Sequence, residues 1–327
     1  MRINPWLLLP VFVVVSALVG VWQRGRVPAR ADWQAAVARV RAGFVPGDGA
    51  TWAPYTQGEG RTAFGDLKML HVRDLATADL ARFDRMWVIG ALGYDASDLA
   101  PEHTLVERVT EGAVTVDLVR VGGPRVVGDL YAQLEQAIYT RHDARSGIRT
   151  CDFWSGRGWH CTLRDPPEKT RACLGQSVAR RLEQRAKDPE CGLDPFLHAS
   201  RDVRLIGDTP RHCIFLHPMA EAAVRLTWNE APAGDALVVD FGFSDPMVAD
   251  NYAKQLRVKP AKLRILRAGV ELAAVDVPAT KGWHRHSIDL PAGAAPLAFE
   301  LSTTATADAH FCFDPTIRTK LRPGSAP

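Results

Sequence analysis

From residue 201 to residue 318 the chain is written in short runs, among them "DVRLIG", "HCIFLHP", "AVRLTW", "ALVVDFGFS", "QLRVKP", "KLRILRAG", "LAAVDVP", "HRHSIDLP", "LAFELST" and "HFCFD". Their apolar positions alternate, and Gly, Pro or Asp separates one run from the next. A period of two sorts side chains onto the two faces of a strand, which a helix cannot do. Many short strands with turn residues between them fold as a β-sandwich or jelly roll. In the last run Phe311 and Phe313 share one face and Cys312 takes the other; "HCIFLHP" repeats that design around Cys213. The first and last strands of a jelly roll lie side by side, so Cys213 and Cys312 are expected to form a disulfide. Closing a loop of about 100 residues stabilises by about 4.7 kcal/mol in the chain-entropy picture.

A disulfide needs an oxidising compartment, and the opening residues point to one. Residues 6–22, from Trp6 to Trp22, carry no charge, and Arg2, Arg24 and Arg26 flank them. Seventeen residues of helix span roughly 25 Å, near the short limit for crossing a hydrocarbon core. The two tryptophans suit interfacial anchoring. The expectation is an uncleaved single-pass anchor in the inner membrane, with the bulk of the chain extracytoplasmic (periplasmic). The competing reading is a signal peptide cleaved near Ala29-Arg30-Ala31. Six cysteines, none in the first 150 residues and none in a C-x-x-C pair, then read as disulfides rather than zinc ligands.

Cys151, Cys161, Cys173 and Cys191 resist pairing by sequence. Cys173 and Cys191 bracket "LGQSVARRLEQRAKDPE", whose Leu174, Val178 and Leu182 mark a helix. Its length, about 18 Å, exceeds the ~7 Å that a bridge tolerates. That weighs against Cys173 with Cys191 and against the local pair Cys151 with Cys161. It favours bridges from the Trp-rich loop to the two helix ends.

At 327 residues the chain has room for two domains. "DWQAAVARVRAGF" places Trp33, Ala36, Val37 and Val40 on one helical face behind Asp32 as N-cap. "DLKMLHV", "RMWVIGALG" and "AVTVDLVRV" read as strands, and "TADLARFD" and "GDLYAQLEQAIY" as helices. The expected organisation is an anchor and linker over 1–30, a small α/β sandwich over 31–145, a Cys/Trp-rich connector over 146–200 and a jelly roll over 201–322.

Chemistry is sparse. Basic and acidic residues number 40 and 37 and are interspersed, so no basic tract exists to follow a phosphate backbone, and nucleic acid is not an expected partner. There is no P-loop, G-x-G-x-x-G, G-x-S-x-G or H-E-x-x-H, and no cofactor, metal site or catalytic residue is expected. Trp228 and Trp283 are candidate platforms for a sugar ring. His284 and His286, on one face of a strand beside Trp283, join the two tryptophans as ligand-binding candidates; as a pair they read better as a hydrogen-bonding strand face than as metal ligands. Trp154, Trp159 and His160 are expected to order their own loop, and Asp48 to sit in a turn.

The segments "DWQAAVARVRAGFVPGDGATWAP", "DRMWVIGAL" and "AVTVDLVRV" make residues 32–121 resemble the extracytoplasmic region of bacterial dolichyl-phosphate-mannose-protein mannosyltransferase-like glycosyltransferases. That family's acidic catalytic loop lies between membrane helices that this chain lacks. Residues 201–318 resemble galactose-binding-like jelly-roll domains, which implies glycan binding or scaffolding. The expected function is a non-catalytic, membrane-anchored binding or accessory protein for envelope glycans or lipid-linked sugars, with a membrane glycosyltransferase as a partner on another chain. The alternatives are a glycan-processing enzyme with a carboxylate site and a structural envelope protein.

Overall fold

The computed structural model describes residues 8–56, 67, 69–70, 72, 74–99, 103–143, 147–162, 193–220, 222–249, 260–304 and 310–320. The chain divides into two compact units, one reaching to Arg125 and the other covering Val126–Lys320.

The apolar start is helical as α1, Leu8–Arg26, with Phe12, Val13, Val14, Val15, Leu18 and Val19 exposed. Among the described residues no helix is long and apolar enough to cross a membrane, so the expected span finds no support in α1; Trp6 lies outside them.

Helix α2, Arg30–Gly43, buries Trp33, Ala36, Val37 and Val40, the stripe that the spacing predicts. It starts before the expected cap. Asp32 sits in its first turn, where its carboxylate accepts the Ala29 N–H at 2.9 Å and satisfies a donor the helix leaves open.

Four strands form the sheet of this unit: β1 Asp48–Ala53, β2 Arg85–Ala91, β3 His103–Glu111 and β4 Val114–Val121, in the order β1-β2-β4-β3. β1 and β2 are parallel, and the other pairs are antiparallel. β2 is buried on both faces, as its unbroken apolar run requires. One face packs Trp52, Trp87 and Ile89 with the α2 stripe. The other packs Met86, Val88 and Val119 with Leu75, Leu80 and Phe83.

Leu80 and Phe83 belong to the segment expected as a helix, residues 77–84, and it carries one short 3-10 turn, Leu80–Arg82, instead, with another, Leu75–Thr77, leading into it. Asp74 and Asp79 accept the N–H groups of Ala76 and Ala81, and such local side-chain bonds compete with an α-helical ladder. Most of "DLKMLHV" lies outside the described residues, though Met69 bridges Ala50.

The second unit is a two-sheet antiparallel sandwich. Its strands are β5 Arg125–Asp129, β6 Ile138–Asp143, β7 Gly147–Cys151, β8 Phe153–Trp154, β9 Gly158–Thr162, β10 Leu193–Ile206, β11 Thr209–Leu216, β12 Ala222–Ala231, β13 Ala236–Phe243, β14 Ala261–Arg267, β15 Val270–Val277, β16 His284–Asp289, β17 Ala295–Thr303 and β18 Phe311–Thr319. The eight-stranded sheet runs β16-β13-β18-β11-β10-β9-β8, with β5 also on β18; the six-stranded sheet runs β15-β14-β17-β12-β6-β7. Between them lies a core that includes Trp228, Phe241, Phe243, Phe299, Phe311 and Phe313. The strands read from the sequence therefore form, as a jelly roll requires; "QLRVKP", apart from Pro260, lies outside the described residues.

The expected helix over 128–139 is overturned. Leu130, Leu134 and Ala137 are buried at helical spacing, but they sit on a turn that leads into β6. β6 pairs with β12 in the six-stranded sheet, so residues 126–143 belong to the second unit. A partner strand some 80 residues away outweighs local periodicity, as tertiary context commonly does.

Cys213 and Cys312 form the expected disulfide, with Cα atoms 5.4 Å apart. The local bridge that the helix-length argument weighed against is present: Cys151 is bonded to Cys161. β7 ends in the six-stranded sheet and β9 lies in the eight-stranded one, so this bridge ties the two sheets together at their edge. A tight turn at Gly156 makes the short return possible; its φ of +86° is a conformation that glycine adopts freely. The helix expected after Cys173, with Cys173 and Cys191 themselves, lies outside the described residues.

Replacing both members of the long-range bridge, Cys213→Ala with Cys312→Ala, should lower the unfolding free energy of the second unit by roughly 4 to 5 kcal/mol. Denaturant titration under non-reducing conditions measures this, and reduced wild type should fall at least as low as the double variant, because reduction also opens Cys151–Cys161. A loss below about 1 kcal/mol would show that the bridge does not constrain the unfolded chain.

Candidate functional site

The sequence-predicted residues do not converge. Trp228 is 2% exposed, donates its indole N–H to the Gln133 carbonyl at 3.0 Å and meets Phe299 edge-on. It is a core residue, and the platform expected of it is corrected: β12 turns Val224, Leu226 and Trp228 inward. Trp283 packs on the cluster of Ile206, Cys213, Phe215 and Cys312, under the guanidinium of Arg211.

His284 and His286 share a face of β16, opposite Phe241 and Val239. Among the described residues no group of three or more His, Cys, Asp or Glu is arranged to hold a metal. Trp154 and Trp159 pack together, and the Trp159 N–H donates to the Leu134 carbonyl, so they order their own hairpin.

Asp48 is a structural lock. Its buried carboxylate accepts Arg85 Nε at 2.8 Å and Nη2 at 2.7 Å, Trp87 Nε1 at 3.0 Å and the Val45 N–H at 3.1 Å. Burial works to raise the carboxyl, but these hydrogen bonds and the Arg85 charge outweigh it and hold Asp48 below the usual range.

Sequence reasoning missed the outer face of the six-stranded sheet. Strand register places Arg264, Glu300, Arg225, Thr140 and Thr150 in one lateral row across β14, β17, β12, β6 and β7. Glu300 is only 7% exposed. Its Oε1 accepts Arg264 Nη1 at 2.7 Å; its Oε2 accepts Arg225 Nε at 3.0 Å and also Arg225 Nη2. Arg264 reaches Glu271 as well, at 2.6 Å. Burial alone would raise the Glu300 carboxyl, yet the two arginines prevail and hold it below its ordinary value.

Beside this row lies an open recess of about 480 Å³, lined by His142, Asp143, Ile148, Ala223, Ser302 and Thr303 among others. Two residues along a strand cover about 7 Å, which sets Ser302 and Ala223 one row away from Glu300 and Arg225. His142 Nε2 lies 2.9 Å from Thr140 Oγ1. Burial first, and then the Arg225 charge, push its imidazole down against a weaker opposing pull from Glu300. Asp143 accepts Arg141 at 2.8 Å. The recess thus offers an imidazole, hydroxyls and a paired carboxylate around the apolar groups of Ala223 and Ile148. Such a surface can hold a small polar ligand.

The outer face of the eight-stranded sheet carries a different row. His160, His198, His217 and His310 follow one another across β9, β10 and the ends of β11 and β18, with successive ring centroids 5.5, 5.6 and 5.2 Å apart. Phe215 packs on the last three, and Arg204 lies 4.4 Å above its ring. Burial, with His198 alongside, pushes the His160 imidazole down to about 3.

No protein-family model and no curated protein matches the chain, so the mannosyltransferase likeness of residues 32–121 gains no support. Among solved structures, a CBM51 module of Clostridium perfringens ZmpB in complex with GlcNAc superposes at 12% identity and a TM-score of 0.28, covering 37% of this chain and 26% of that one. A CBM51 of Clostridium perfringens GH95 in complex with methyl-galactose superposes at 10% identity and a TM-score of 0.25, covering 36% and 72%. The tandem CBM51 modules of Sp3GH98 from Streptococcus pneumoniae superpose at 8% identity and a TM-score of 0.31, covering 64% and 56%. The chain spans about a quarter of the length of the first of these.

His160 yields a pH prediction. Its folded value of about 3 lies below the ordinary 6.5, so in that window the unfolded chain binds more protons and stability rises with pH. The denaturant midpoint should drop from pH 7 to pH 5, equivalent to roughly 2 kcal/mol. His160→Phe should flatten the drop, and an unchanged midpoint in the wild type would refute the assignment.

Proposed function

We propose that this protein is a membrane-anchored, extracytoplasmic binding protein for envelope glycans, acting without catalysis of its own. The observation that carries the reading is the recess on the outer face of the six-stranded sheet. It is large enough for a small ligand at about 480 Å³, and it combines hydrogen-bonding groups with the methyl groups of Ala223 and Ile148. A sugar ring has the same division, with hydroxyls at its rim and C–H groups on its faces.

Two features support the compartment. The Cys151–Cys161 and Cys213–Cys312 bridges suit an oxidising space. The exposed apolar side chains of α1 suit lipid, with the anchor placed at residues 6–22 in the inner membrane. A membrane glycosyltransferase on another chain is the class of partner that this location would serve.

Ala223 faces outward from the middle of the recess, and Ala223→Trp should fill it without disturbing the core. On a glycan array probed with the full chain in detergent micelles, wild type should bind at least one oligosaccharide, and the variant should bind it at least about tenfold more weakly. Binding to no glycan would refute the reading. For the anchor, the full chain should stay with membranes through alkaline extraction, and deleting residues 1–26 should release it; a full chain found in the soluble fraction would contradict the placement.

A further inference from the structure

We infer that Glu300 makes the recess select uncharged sugars over anionic ones; the inference rests on the glycan-binding reading above. Guanidinium groups on a sheet face are the ordinary means of holding sulfate, carboxylate or phosphate, through bidentate charge-assisted hydrogen bonds. Two such groups, Arg225 and Arg264, stand one strand-row from the recess, and on position alone they would make it an anion site. Glu300 lies between them and takes both. One oxygen accepts from Arg264 at 2.7 Å and the other accepts from Arg225 at 3.0 Å. Arg264 carries Glu271 as a second carboxylate.

The remaining charges near the recess leave the same balance. Arg141 is held by Asp143 at 2.8 Å, which also places a carboxylate in the lining, unfavourable to an arriving anion. His142 is pushed toward its neutral form by burial and by Arg225. Lys262, opposite Ser302 in the ladder, is exposed and faces Asp276 on its other side. A solvated lysine of this kind contributes little to binding and is screened by salt. What the recess presents to a ligand is therefore a set of neutral hydrogen-bonding groups and one arginine-paired carboxylate, Asp143, beside a guanidinium row whose counter-ion is already in place.

The test uses matched oligosaccharide pairs that differ only by one sulfate or uronic carboxylate, with the full chain in detergent micelles. Wild type should prefer the uncharged member at least about tenfold, and its binding should change little with salt. Glu300→Gln keeps the shape and an acceptor but leaves Arg225 without a carboxylate. It should raise binding of the anionic member at least about tenfold, in a salt-sensitive way, while the uncharged member stays within about twofold. A merely structural Glu300 would lower both together.

If Glu300→Gln does not fold, wild type beside Lys262→Ala decides the matter. An unchanged preference for the uncharged member in both supports the inference. A wild-type preference for the anionic member, whether or not Lys262→Ala removes it, overturns the inference and leaves the glycan reading standing. Binding of neither member of any pair removes both.

Discussion

The second unit is organised by the pairing of two strands that are far apart in the chain, β11 and β18. Ile214 lies opposite Phe313, Phe215 opposite Cys312, and Leu216 opposite Phe311. Because strand side chains alternate, this register puts Ile214, Leu216, Phe311 and Phe313 into the core between the sheets. The same register leaves Cys213, Phe215 and Cys312 together on the outer face. A slip of one residue would send the phenylalanines outward and separate the sulfurs. The disulfide thus holds the register as well as closing the loop, and all of β12 to β17 is hung between its ends.

Once that pairing is set, the outer faces of the two sheets acquire different chemistry. The eight-stranded sheet gathers imidazoles, Phe215 and the Cys213–Cys312 bridge into a second, small core. The six-stranded sheet keeps a polar outer surface, with Arg264, Glu300 and Arg225 in line and the recess beside them. Cys151–Cys161 closes the edge where the two sheets come nearest in sequence. Each row is assembled from strands that are remote in sequence, so only the ladder register brings its members together.

This is also why the sequence was legible in some places and silent in others. Period-two runs, the α2 stripe at Trp33, Ala36, Val37 and Val40, and the both-faces-buried β2 depend on neighbours within a few residues, and each was readable. So was Cys213 with Cys312, because two strands of the same design imply the same face. Leu130, Leu134 and Ala137 misled because a buried turn can mimic helical spacing, and the deciding contact, β6 on β12, is nonlocal. Trp228 could not be assigned inward or outward without the phase of β12. The Glu300 row left no local trace at all: Arg225, Arg264 and Glu300 are ordinary charges on three separate strands. The one available signal was that each sits at an outward position in an otherwise apolar strand.

The Arg225–Glu300–Arg264 row contributes little as a source of stability. Partly exposed ion pairs return only a fraction of their Coulomb energy, and a carboxylate this deeply covered pays desolvation. Apolar residues in the same three places would cost less to bury, but they would give the sheet a sticky outer strip beside Ile138 and Ile148, which are already exposed. The ionic row instead yields a surface that is polar and also rigid, since each guanidinium is held in one geometry by its shared carboxylate. A rigid floor matters for weak polar ligands, because side chains ordered in advance need not be ordered on binding. On this argument the cost of burying Glu300 is set against recognition at the neighbouring recess, and the charge pattern that looks wasteful for folding is coherent for binding.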